Sequence, residues 1–200
     1  MEPPRSLPAR LHALLAGVYR LEIESDIDAF VYLVDGGARE GLLVRETDGT
    51  LELRLELPPA ALQARGPVEF DSLCQIVEGV SHFVCLTERA RRELPLTQLE
   101  LELQAEVDKY LTLAVLSVPG GFSAERAARV RQRLFSEPSY LHPPDTEEGE
   151  RYRFANGLAA RFARALEERY LLQGRLGEVL SLLRRFHRVG QSEKLALAAA

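Results

Sequence analysis

The residue types best able to do chemistry in this chain sit in one apolar stretch. In CQIVEGVSHFVCL, residues 74–86, Glu78 and His82 stand four positions apart among Ile, Val, Phe and Leu. On a helix that spacing puts two side chains on one face and within reach of each other. A carboxylate beside an imidazole favours the imidazolium, so the pair reads first as a bond that fixes helix register. An oxygen and a nitrogen so placed are also the donors that divalent cations use.

A counterpart lies downstream in LELELQAEVDKY, residues 99–110, where Leu99, Leu103, Val107 and Tyr110 mark an apolar stripe. Glu106 falls beside that stripe and Glu102 one turn earlier. If this helix packs antiparallel on the preceding one through RELPLT, Glu78, His82, Glu102 and Glu106 converge. Helical bundles build carboxylate and histidine metal sites in that way. The Glu-x-x-His pairing of the di-iron bundles is absent. The competing expectation is an ordinary pair at Glu78 and His82, with Glu102 and Glu106 solvated or bound to arginines.

Other chemistry finds no pattern. VDGGAREG lies between strand-like runs and PGGF between helix-like ones, so neither offers the strand, glycine loop and helix that hold phosphate. Ser72, Ser81, Ser117 and Ser181 have no nucleophile-elbow context. Cys74 and Cys85 are the only cysteines. They are eleven residues apart on one predicted helix, roughly 16 Å at 1.5 Å per residue, too far to bridge, and are expected free and buried. Arg184, Arg185, His187 and Arg188 crowd one helix end, where cations suit the helix dipole or could receive an acidic partner segment. The one catalytic, cofactor or metal assignment to survive is therefore the Glu78, His82, Glu102, Glu106 set.

The elements that would position these residues are legible. SLPARLHALLAG, residues 6–17, spaces its leucines as a short amphipathic helix stopping at Gly17. VYRLEIES alternates as a half-buried strand, DAFVYLVD reads as a second, and GLLVRETDGTLELRLEL as two more around an Asp48-Gly49 turn, the dipeptide of tight hairpins. Pro58-Pro59 ends the series. Helices follow over about 67–92, 98–117 with a Thr97/Glu100 capping box, 123–136, a span to about 172 capped by Asp145, 175–188 and 192–199. SEPSYLHPPDTEEGE, residues 136–150, is expected to be a mobile loop.

The predicted fold class is α+β: a short N-terminal helix and a small antiparallel sheet of three or four strands over about 18–57, packed against a mainly helical bundle over about 67–199. A chain of 200 residues supports one domain with an N-terminal lobe at about 6–57 and a C-terminal helical lobe at about 67–199. The net charge of -5, with both signs interspersed, offers no broad cationic surface for nucleic acid. No run approaches the roughly 20 apolar residues of a membrane span, and Met1 to Arg10 has no signal core. A bacterial, cytoplasmic chain is expected, arginine-rich with lysine only at Lys109 and Lys194. The leading functional expectation is a non-enzymatic interaction or adaptor protein, without cofactor, that binds a protein partner or a second copy of itself through a helical face or a sheet edge. The alternative is a divalent-metal-binding protein or metal-dependent enzyme using the Glu/His set.

Overall fold

Ser6 starts the first helix: its Oγ accepts from the amide of Ala9 at 3.0 Å and donates to Asp28 Oδ1 at 2.5 Å. In the computed structural model, which describes residues 5–34, 39–48, 50–62, 68–116, 121–138 and 140–200, the chain divides into two compact units, Met1–Glu88 and Arg89–Ala200. Gly36-Gly37, Gly49 and Pro119-Gly120, all read as turns in the sequence, lie outside the described residues.

In the first unit, α1 spans Leu7–Tyr19. It runs through Gly17, and Arg20 closes it in the left-handed conformation at φ 56°. The strand expected at VYRLEIES therefore does not form: Val18 and Tyr19 are buried on α1, and residues 21–24 have no regular structure. The reason lies in spacing. Leu11, Leu15, Val18 and Tyr19 extend one helical stripe, and the burial of that stripe overrides a local alternation of period two.

Three strands follow, β1 at Val31–Leu33, β2 at Gly41–Thr47 and β3 at Thr50–Leu57. Their order is β1-β3-β2, with β2 antiparallel and β1 parallel to β3. The sheet is thus mixed, where the sequence suggested an antiparallel one. The pairing of the two runs is as read: Thr47 pairs with Thr50, and Asp48 has φ 51°. With β2 occupying one side of β3, β1 takes the other.

Cross-strand partners share a face, so the register puts Leu42, Val44, Leu53, Leu55 and Leu57 on one side. Leu55 and Leu57 are fully buried. They meet α2, Phe70–Arg91, at Gly79, where a Cβ would lie 2.8 Å from Leu57 Cδ2 and 3.0 Å from Leu55 Cδ1. Gln75 and Gly79 are both buried on this helix, and Gly79 is where the sheet leans in. Phe83 closes the unit's core against His12, ring to ring at 5.7 Å, and Phe30 at 5.2 Å. Cys74 and Cys85 are buried on α2 and are not joined in a disulfide.

The described residues of the second unit form five α-helices: α3 at Gln98–Tyr110, α4 at Ala124–Arg131, α5 at Glu147–Arg169, α6 at Leu176–Arg188 and α7 at Gln191–Ala199. The capping box is present, with Thr97 Oγ1 accepting from the Glu100 amide at 3.2 Å and Glu100 Oε2 from the Thr97 amide at 3.1 Å. The cap of α5 is Thr146, whose Oγ1 accepts from the Gly149 amide, rather than Asp145. α3 and α4 each run into a π-helical turn, Leu111–Leu116 and Gln132–Ser136. Such turns widen the backbone ladder and recur near functional sites. Here the carbonyl of Leu113 accepts from Arg126 Nε at 3.2 Å, and that of Leu134 from Asn156 Nδ2 at 3.0 Å.

The segment expected to be mobile is bound to α5. Thr146 Oγ1 donates to the Pro143 carbonyl, Arg153 donates to the His142 carbonyl, and the His142 ring stacks on Tyr152 at 5.6 Å. The α+β class holds, with seven helices and a three-stranded mixed sheet among the described residues.

Candidate functional site

Glu78 and His82 lie one turn apart on α2, in the first unit. Glu78 is buried and His82 half-buried. A carboxylate oxygen of Glu78 and a ring nitrogen of His82 come within 4.8 Å. The helix carries them there because its apolar residues, Ile76, Val77, Val80, Phe83 and Val84, are buried around most of its circumference, so polar residues interleaved with them are drawn in as well. An oxygen and an imidazole nitrogen at this separation fit either a charge-assisted bond or two ligands of one divalent cation.

Glu102 and Glu106 lie one turn apart on α3, in the second unit, and both are buried. Neither is the solvated carboxylate of the simpler expectation. Glu106 Oε1 accepts from Lys109 Nζ at 2.7 Å and its Oε2 from Asn156 Nδ2 at 3.2 Å. These two partners are a lysine and an asparagine. Because Asn156 also donates to the Leu134 carbonyl, Glu106 is tied through one amide to the π turn after α4. Tyr140 faces the same group, and burial followed by the nearby Glu106 charge raises its pKa.

A second buried carboxylate escaped the sequence reading. Glu167 Oε1 accepts from the Tyr110 hydroxyl at 2.8 Å and from Arg131 Nε at 3.1 Å. Burial, reinforced by the bond to Glu167, pushes the Tyr110 phenol far above its ordinary range. Tyr110 and Arg131 are the residues immediately before the two π turns, so this carboxylate joins the helix ends from which those turns depart. Tyr110 itself was legible as core; its hydroxyl's partner, 57 residues on, was not.

The third cluster surrounds His187 and Lys194. Both are buried, where the sequence grouped His187 with the cations of a helix end. Burial holds the His187 imidazole neutral and lowers its pKa to about 3, with the charges of Lys194, Arg89, Arg92 and Arg188 acting in the same direction. Lys194 donates to Gln104 Oε1 at 3.0 Å, and Gln104 donates to Asp108 Oδ1 at 3.1 Å. A signal for this cluster was available. The chain has two lysines, and Lys194 and Ala198 share a face of α7 by the four-residue rule.

On the first unit's surface the apolar side of the sheet is only partly covered. Val44 continues the face of Leu55 and Leu57 yet is 48% exposed, and Leu43, on the opposite side of β2, is 53% exposed. On Leu43's side, Tyr32 lies 4.5 Å below the Arg54 guanidinium. β2 is an edge strand, paired on one side with β3 and, among the described residues, on the other with nothing. No described helix is long and apolar enough to cross a membrane. No protein-family model matches the chain, and neither a curated protein nor a solved structure proves similar to it.

Proposed function

We propose that this protein is a non-enzymatic interaction module whose first unit binds an extended segment of a partner protein along β2. The observation that carries this reading is the exposure of Leu43 and Val44 on a strand with one unpaired edge. Edge strands of monomeric proteins are usually shielded by charge, proline or a covering element. An added strand gains backbone hydrogen bonds along the edge and pockets for alternate side chains. It would also cover the part of the apolar face that runs out past Leu55.

The test places a photoreactive benzoylphenylalanine at Val44, with a second chain carrying it at exposed Arg188 as reference. Adducts at position 44 should map to one extended segment of a partner, which as a synthetic peptide binds the native protein and not the Val44→Lys variant. A second copy of this chain would be one such partner. Equal adducts at both positions, or peptide binding indifferent to Val44→Lys, would overturn the reading.

A second reading rests on the approach of Glu78 to His82. In it the pair holds a divalent cation, with the imidazole neutral and its nitrogen lone pair on the metal. Protein purified without chelator would then carry stoichiometric metal that the His82→Ala variant lacks. Equal, substoichiometric metal in both would leave the pair as a register bond.

A further inference from the structure

The C-terminal helix α7 is attached by chemistry that suits exchange better than permanence. Its buried residues are Lys194 and Ala198, and Leu195 and Leu197 are only half-buried. It rests on α3, α5 and α6. Polar contacts help to hold it. Thr97 Oγ1 donates to Gln191 Oε1 at 2.6 Å, Arg89 Nη2 to the Val189 carbonyl at 2.5 Å, and Arg169 Nη2 to the Ala200 carbonyl at 2.6 Å. At the centre, the Lys194 side chain is withdrawn from solvent, its Nζ 3.0 Å from Gln104 Oε1 and 5.2 Å from the centre of the Phe186 ring.

Burying one methyl group, a lysine stem and parts of two leucines yields only a modest hydrophobic free energy at about 25 cal/mol per Å², and taking an ammonium out of water subtracts from it. Elements with few buried apolar contacts open at lower cost than the body they rest on. What α7 covers, by contrast, is well shaped. A carbonyl oxygen on Gln104, an aromatic face on Phe186 and the Asp108 carboxylate bonded behind Gln104 are the groups that recognise a primary ammonium. Gln104, Asp108 and Phe186 are themselves almost fully buried, so their positions are set by the body of the unit.

We propose that α7 is a releasable plug, and that the pocket it fills with Lys194 is a binding site for the lysine side chain of a helical segment on a partner protein. In the structure α7 of the same chain occupies that site in cis and so regulates access to it. The site lies wholly in the second unit and does not depend on the sheet reading above, so either can fail alone.

The probe is a fluorescein-labelled peptide of residues 190–200, GQSEKLALAAA, with a second peptide carrying methionine in place of Lys194. Anisotropy is measured against the full-length chain and two full-length variants that weaken the plug, Lys194→Gly, which removes the anchoring side chain and disfavours the helix, and Ala198→Asp. Both variants should keep a folded, cooperatively melting body and bind the lysine peptide at least tenfold more tightly than the native chain does. Each should prefer it at least tenfold over the methionine peptide. Equal binding of the two peptides would overturn the ammonium pocket. Absence of binding to either variant, or unfolding of the whole second unit in both, would overturn the plug.

Discussion

The Cβ that Gly149 lacks would stand 1.7 Å from the carbonyl oxygen of Pro143. That oxygen also accepts from Thr146 Oγ1 at 2.9 Å, and Thr146 caps α5 through the amide of Gly149 itself. The loop and the first turn of α5 are therefore one structure, closed over a residue that must have no side chain.

Gly149→Ala should accordingly destabilise the second unit, although alanine is the better helix former by about 1 kcal/mol. A backbone oxygen cannot swing aside as a side chain does. The loop must lift, and with it go the Thr146 cap, worth about 1 kcal/mol, and the Arg153 bond to the His142 carbonyl. A net loss on the order of 2–3 kcal/mol is expected by urea denaturation. An unchanged midpoint would show that the close approach does not constrain the fold.

Gly79 presents the same question with a different answer, since the atoms in the way are the side-chain ends Leu57 Cδ2 and Leu55 Cδ1. Both leucines are fully buried, so they yield only by strain. Gly79→Ala should be close to balanced, overpacking of about 1–2 kcal/mol against a helix gain of about 1. The informative experiment is the double variant. Leu57→Val removes the atom at 2.8 Å, so Gly79→Ala should cost at least about 0.5 kcal/mol less in that background. Strict additivity would mean that sheet and helix do not meet there.

How far the sequence reached depended on whether a signal was local. The Asp48 hairpin and the Thr97/Glu100 box were legible because each is complete within a few residues. β1 was found as a strand but its parallel pairing to β3 was not, because nothing in Val31–Leu33 specifies which neighbour or direction it takes. VYRLEIES misled because a short alternation competes with a helical stripe that begins seven residues earlier, at Leu11. At the candidate site, the nearness of Glu78 and His82 follows from helix geometry alone. The partners of Glu106 and Glu167 do not, since Asn156 is 50 residues away and Tyr110 is 57. The burial of Lys194 was masked by the rule that charges face water, which holds only until a partner is in place.

Tyr110→Phe isolates one bond of the Glu167 cluster. The ring and its packing on Phe135, 6.3 Å between centres, are kept, and Arg131 still neutralises the carboxylate. The loss is then that of a single hydrogen bond to a charged acceptor, on the order of 2 kcal/mol. Glu167→Gln should make Tyr110→Phe less costly, because a neutral amide is the weaker acceptor. Equal costs in the two backgrounds would mean that the tyrosine hydroxyl does not rely on the charge.

His187 sets the acid limit of the second unit. Its folded pKa is about 3 and an unfolded histidine titrates near 6.5, so between these values the unfolded chain binds the extra proton. Stability therefore rises with pH through that window and falls as the solution is acidified from about 6.5 toward 3. The physical cause is that a proton on His187 would place a buried imidazolium beside the charges of Lys194, Arg89, Arg92 and Arg188. The contribution at neutral pH is on the order of 4 kcal/mol relative to pH 3. Carboxylates titrate in the lower part of the same window, so the comparison that isolates the histidine is a difference between native chain and His187→Leu. From pH 6.5 to 5, where carboxylates change little, the native chain should lose about one proton's worth of slope, roughly 1.4 kcal/mol per pH unit, and the leucine variant should not. Parallel stability curves for the two chains across that interval would show that His187 is protonated in the fold, and that the cations around it do not act as described.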